Sequence, residues 1–143
     1  MKILCLDIGT KRIGVAISDA FGWTAQGLDT LVRKNDDRVR ERLLNMCREN
    51  DIKHVIVGMP LDQEGKLGKS AQRIEKFRAN LEDYLHEDGV FIPVEGYDER
   101  YSTAEAEERL IQADVSRAKR KKIIDKMAAV VILEGYLREY RAK

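Results

Sequence analysis

The chain has 143 residues, 43% of them hydrophobic and 36% charged, and its 26 basic and 25 acidic side chains leave a formal net charge of +1. That length predicts one domain over residues 1–143 with a real core, and the near-neutral balance excludes a polycation that binds nucleic acid through bulk charge. No apolar run approaches a membrane span and no signal-peptide pattern stands at the N-terminus, so a cytoplasmic location away from membranes is expected.

Residues 2–8 read as a buried strand, apolar on both faces until its end. Gly9-Thr10-Lys11-Arg12 is turn chemistry, and Ile13–Ser18 returns as the second strand of a hairpin. Phe21-Gly22-Trp23 makes another turn before a third strand over Ala25–Val32. Asn35-Asp36-Asp37 offers helix caps, and the helix that follows carries Val39, Leu43, Leu44, Met46 and Cys47 at helical spacing. His54–Gly58 is a short β-branched strand ending in Met59-Pro60, followed by a polar loop from Asp62 to Gly68. Ser70–Leu85 is a helix with Ile74, Phe77, Leu81, Tyr84 and Leu85 on its stripe, and its N-terminus is an anion-site candidate. Val90–Tyr97 is the fifth strand. Ser102 and Glu105 have capping-box spacing, which starts a helix to about Gln112, and Lys121–Tyr140 is the final helix.

This order predicts an α/β fold: a five-stranded mixed sheet, with an antiparallel β1-β2-β3 meander joined by β4 and β5, and helices on both faces. Ligands bind at strand-terminal loops of such sheets. Cys5 and Cys47 fall in a strand and a helix without metal-like spacing and are expected to be buried, reduced thiols. His54 and His86 have no Cys or acid at ligand spacing, which predicts ordinary surface or strand-edge roles.

Three acids stand out. Asp7 ends the first strand, Asp98 opens Asp98-Glu99-Arg100-Tyr101-Ser102-Thr103 after the fifth, and Asp125 shares a helical stripe with Ala128, Ala129 and Ile132. Each has a plain structural alternative: a turn-forming Asp, a helix-preceding acid, an acid favoured by a helix dipole. Together they can converge at one sheet edge, where carboxylate oxygens suit Mg2+ or Mn2+. Two such ions about 4 Å apart activate water and stabilise the leaving oxygen of a phosphodiester. Lys11, Arg12 and Arg100 are expected near that edge as phosphate contacts. The basic run Arg117–Lys122 is expected just before the last helix, either as a nucleic-acid patch or as a solvated helix end.

Four segments in order carry a family resemblance: Asp7-Ile8-Gly9-Thr10-Lys11-Arg12-Ile13-Gly14-Val15-Ala16-Ile17-Ser18-Asp19; Val57-Gly58-Met59-Pro60 with Gly65, Gly68 and Ala71; Asp98–Ala104; and Lys122–Ala129. Across essentially the whole chain they resemble the YqgF family of the RNase H-like superfamily, also called Holliday junction resolvase-like proteins. The resemblance implies an RNase H-like fold and a cytoplasmic, metal-dependent nuclease described as maturing the 5′ end of the small-subunit (16S) ribosomal RNA precursor. Some relatives are linked to Holliday-junction cleavage. By motif, the catalytic acids carry over to Asp7, Asp98 or Glu99, and Asp125, with metal on Asp7, Asp98 and Asp125. Substrate contacts carry over to Lys11, Arg12, Arg100, Ser102 and Thr103.

The chain departs from the pattern at Gln26-Gly27, where the family often has proline. It departs again at Gly58, near which the superfamily often has its second acid, so that role is divided between Asp98 and Glu99. The implied partners are structured nucleic acid, either precursor rRNA or branched DNA, with the protein a monomer or homodimer. A catalytically weak RNA-binding assembly factor is the alternative. Asp7-Ile8-Gly9-Thr10 also resembles the phosphate loop of actin-like and sugar-kinase ATPases, but that architecture needs two such domains.

Overall fold

The structure, a computed structural model, describes the backbone of residues 1–60, 68–98 and 117–142, and the side chains of these apart from 117–125 and 141–142. The elements are β1 (Lys2–Ile8), β2 (Arg12–Ser18), β3 (Ala25–Val32), α1 (Asp36–Glu49), β4 (Ile52–Met59), α2 (Lys69–Glu87), β5 (Val94–Asp98) and α3 (Arg117–Ala142). They form a five-stranded sheet in the order β3-β2-β1-β4-β5. The β1-β2 and β2-β3 pairs are antiparallel, and the β1-β4 and β4-β5 pairs are parallel. This is the mixed sheet expected from the meander followed by alternating strands and helices.

The pleat sorts the central strands onto two cores. Leu4, Leu6 and Ile8 of β1 join Ile13, Val15 and Ile17 of β2 on one face, where they meet Val39, Leu43 and Cys47 of α1 and Ile74, Phe77 and Leu81 of α2. Ile3, Cys5, Ala16 and Ile56 occupy the other face beneath Ala129, Ile132, Leu133 and Leu137 of α3. Burying each of these large aliphatic side chains is worth roughly 1.5–3 kcal/mol. Both layers must pack to hold the strands, which explains why β1 reads as continuously apolar. Helix α3 lies close to β3: a Cβ added at Gly27 would stand 2.5 Å from Lys126 Cγ.

Local capping agrees with the sequence. Asn35 Oδ1 accepts from Asp37 N at 2.9 Å and Arg38 N at 3.4 Å, satisfying two orphan donors at the start of α1. Asp19 closes the β2-β3 turn by accepting from Trp23 N at 2.8 Å and Thr24 Oγ1 at 3.0 Å, with Gly22 at φ 71°. Cys5 and Cys47 are buried thiols outside any disulfide.

Two element starts differ from expectation by four residues. The fifth strand begins at Val94 rather than Val90. Val90 N instead donates to Leu85 O at 2.8 Å and seals the end of α2, where Gly89 takes φ 82°. Pro93 has no N–H to give a ladder, although its carbonyl accepts from Val55 N at 3.0 Å. The last helix begins at Arg117 rather than Lys121, so the basic run forms its opening turns instead of preceding it. Lys, Arg and Ala are good helix formers, and nothing in that stretch stops a helix. The helix expected over residues 102–112 lies outside the described residues, as does most of the loop expected from Asp62 to Gly68.

Candidate functional site

Because β1, β4 and β5 are parallel, their carboxyl ends open on one edge of the sheet. Asp7 is the penultimate residue of β1 and Asp98 the last of β5. Ile3 and Cys5 belong to the α3-side core, so strand alternation puts half-buried Asp7 on that face as well. Asp7 pairs with Gly14 on β2, and Leu6 pairs with Val57 on β4, which makes Gly58 the next neighbour on the other side. The carboxylate therefore has a glycine on each adjacent strand, and neither contributes a side chain beside it. Gly58 in turn pairs with Tyr97.

Asp98 reaches the same edge but the other face. Val94 belongs to the α1/α2 core, and a Cβ on Gly96 would meet Met59 Cγ of that core at 3.0 Å. Tyr97, between them, packs against the α3-side cluster. Alternation thus sets exposed Asp98 with Val94 and Gly96, opposite Asp7. Two strand spacings separate the two positions, on the order of 10 Å.

Asp125 lies in α3 one turn before Ala129, which is packed on β1 and β2. Because α3 begins at Arg117, Asp125 stands well beyond the first turn, where a helix dipole would favour an acid. Its side chain lies outside the described residues, as do Glu99, Arg100, Ser102 and Thr103. Among the described residues no three His, Cys, Asp or Glu side chains gather as a metal site.

Lys11 and Arg12 are exposed on the tight turn after β1. Gly9 N donates to Arg12 O at 2.8 Å, and a Cβ on Gly9 would stand 2.6 Å from that same oxygen, so the turn closes only with glycine there. Arg33 braces this turn from the end of β3. Its backbone N–H donates to Lys11 O at 2.8 Å and its Nη1 to Gly9 O at 2.7 Å. Its Nε and Nη2 grip both carboxylate oxygens of Asp36 at 3.2 and 3.1 Å, and this hydrogen bonding holds the Asp36 carboxyl below its usual range. Nothing in the sequence marks Arg33 for this role, since a cation at a strand end carries no signal of the turn it will reach.

A second group joins residues far apart in the sequence. His54 is buried on β4, with Nε2 3.1 Å from Glu95 Oε2 of β5 and Nδ1 3.4 Å from the Tyr136 hydroxyl of α3. The Nε2–Glu95 contact has the distance of an ion pair without the alignment of a hydrogen bond. Tyr136 meets Tyr97 edge-on at 5.5 Å, and burial, with a hydrogen bond from Tyr97 to Glu139, pushes the Tyr97 phenol up to about 12. His54 is thus an interior residue tying β4, β5 and α3 together, in place of the surface or strand-edge role expected.

No described helix is long and apolar enough to cross a membrane. A protein-family profile described as “RuvX: Holliday junction resolvase” matches residues 1–139. A protein of Shouchella clausii named “Putative pre-16S rRNA nuclease” is 53% identical over 139 residues, covering 96% of this chain and 94% of that one. A protein of the same name from Halalkalibacterium halodurans is 46% identical over the full length of both. Among solved structures, Thermus thermophilus RuvC in complex with a Holliday junction substrate superposes with a TM-score of 0.60 at 13% identity, over 99% of this chain and 96% of that one. The fowlpox virus resolvase with Holliday junction DNA gives 0.58 at 13% identity, over 98% and 99%. At such identities these two show the shared RNase H-like fold. The profile match and the close relatives show more: the chain belongs to the RuvX, or YqgF, family of nucleases, hydrolases of phosphodiester bonds.

Proposed function

We propose that this protein is a divalent-metal-dependent endonuclease that acts on structured RNA and matures the 5′ end of the small-subunit ribosomal RNA precursor in the cytoplasm. The observation that carries this reading is the setting of Asp7: a half-buried carboxylate at a parallel-strand terminus, on the face covered by α3, with Gly14 and Gly58 beside it. Carboxylate oxygens suit a hard divalent cation, and the flanking glycines add no side chain that would exclude one.

Asp7 and Asp125 would hold Mg2+ or Mn2+, hard ions that oxygen ligands suit. When bound, such ions activate water and stabilise the leaving oxygen. Between the two candidates for the remaining acid, the register favours Glu99, because Asp98 alternates onto the face away from Asp7. Lys11 and Arg12, exposed on a turn closed by Gly9, are positioned as phosphate contacts at the rim, with Arg100, Ser102 and Thr103 as the further contacts that the family motif suggests.

The test is cleavage of a 5′-extended small-subunit rRNA precursor fragment with magnesium or manganese. Losing even a residue that supports a metal ligand typically costs 10–100-fold, so Asp7→Asn should slow cleavage by more than about 100-fold. Unchanged cleavage by that variant would remove the site. The profile's own description favours a four-way DNA junction as the second substrate, so the same assay includes one. Faster cutting of the junction than of the RNA would move the assignment to resolvase activity.

A further inference from the structure

A cavity of about 530 Å³ lies between α1, α2 and the β1-β2 turn, within the size range of small-molecule sites. Among the described residues four cations line it, Arg33 and Arg40 from the α1 side and Arg73 and Lys76 from α2, against one carboxylate, Asp36. Asp36 is already gripped by Arg33, and Arg40 pairs with Asp37. Arg73 and Lys76 are exposed and, among the described residues, have no carboxylate partner. They are three apart on one helical stripe, where like charges repel unless an anion lies between them. Below them Ile74 and Phe77 supply an apolar floor, and the Arg33 guanidinium stands 5.3 Å above the Phe77 ring centroid. The far wall is Gly9 and Thr10, two and three residues past Asp7.

Cations above an apolar floor suit a ligand that is anionic at one end and flat and apolar at the other. We propose that this groove binds a phosphorylated nucleotide, with its phosphate on Arg73 and Lys76 and its base toward Ile74 and Phe77. As a unit of a bound strand, that nucleotide would sit beyond the Gly9–Thr10 turn and extend the contact past the cleavage site. This form rests on the nuclease reading above. A free nucleotide in the same groove does not.

The double variant Arg73→Glu/Lys76→Glu tests the groove on the full chain, in EDTA, so that binding is read apart from cleavage. A matched control, Lys2→Glu/Lys53→Glu, makes the same charge change at the opposite end of β1 and β4. That lies roughly 20 Å away along the strands, beyond the Debye length of about 8 Å at physiological salt. Fluorescence anisotropy with a labelled hairpin RNA gives affinity against salt, and thermal shift with millimolar ADP reads free nucleotide. Both variants are first shown to keep the wild-type circular dichroism spectrum.

A strand-bound nucleotide predicts at least a tenfold loss of RNA affinity in the groove variant and a salt slope smaller by about 1–2, since each phosphate contact contributes about 0.9. The control should bind as wild type does. A free nucleotide predicts an ADP-induced shift in the wild type that the groove variant loses. The proposal is overturned if the groove variant matches the control in both measurements. If the wild type binds no RNA yet shows the ADP shift, the groove stands and the reading as an RNA nuclease falls.

Discussion

The Arg33 guanidinium donates to the carbonyl oxygen of Gly9 at 2.7 Å across 24 residues of sequence. One side chain thereby joins the end of β3 to the turn that follows Asp7, and its remaining nitrogens are spent on Asp36. The turn that carries Lys11 and Arg12 is held from outside as well as by its own Gly9–Arg12 bond.

Replacing Arg33 with alanine should cost about 1–3 kcal/mol, because a hydrogen bond to a charged group is worth about 1.5–3 kcal/mol and part of this one is solvent-exposed. Chemical denaturation reads that loss. Lysine at the same position should recover only a fraction, since a point charge cannot bridge Gly9 and both oxygens of Asp36 at once. Full recovery by lysine would show that charge alone holds the turn.

Leu133 is completely buried between α3 and the β1-β2 face. Leu133→Ala should destabilise the fold by about 2–5 kcal/mol through lost burial and the cavity left behind. Because α3 also carries Asp125, cleavage should fall more steeply with temperature than in the wild type. Urea denaturation alongside cleavage rates at two temperatures checks both effects.

Burial pushes the Cys47 thiol from 9.0 up to about 11. A raised thiol pKa means that the folded state keeps a proton which the unfolded chain releases. Stability from this group is therefore complete below about pH 9 and is lost as pH climbs toward 11. The loss should be roughly 3 kcal/mol. Tyr97, raised from 10.0 to about 12, should extend the decline beyond pH 10. Denaturation midpoints for Cys47→Ala, measured from pH 8 to 10, should fall less steeply than those of the wild type. Equal slopes would mean that Cys47 does not titrate in this way.

The opposed faces of Asp7 and Asp98 set an order of effects. Manganese binding by calorimetry should weaken most in Asp7→Asn, clearly in Glu99→Gln, and least in Asp98→Asn. A ranking with Asp98→Asn above Glu99→Gln would reverse the assignment of the remaining acid.

Much of this molecule was legible in one dimension because its signals are local. Apolar continuity marked β1, the period of α1 and α2 marked their buried stripes, and Asn35 announced its own helix. The antiparallel meander and the placing of Asp7 and Asp98 at carboxyl ends followed from the same pattern. The four motifs carried the family, since their order and spacing span the chain.

What only the tertiary structure decided depends on contacts that sequence distance hides. Alternation has a period but no absolute phase until a strand packs, so the opposite faces of Asp7 and Asp98 emerge only once Ile3 and Cys5 meet α3 and Val94 meets the other core. The reach of Arg33 to Gly9, the burial of His54 beside Glu95, and the gathering of cations from α1 and α2 around one cavity arise the same way. Each joins residues whose local sequence is ordinary, and the energy that fixes them comes from packing of distant segments rather than from the propensity of any one.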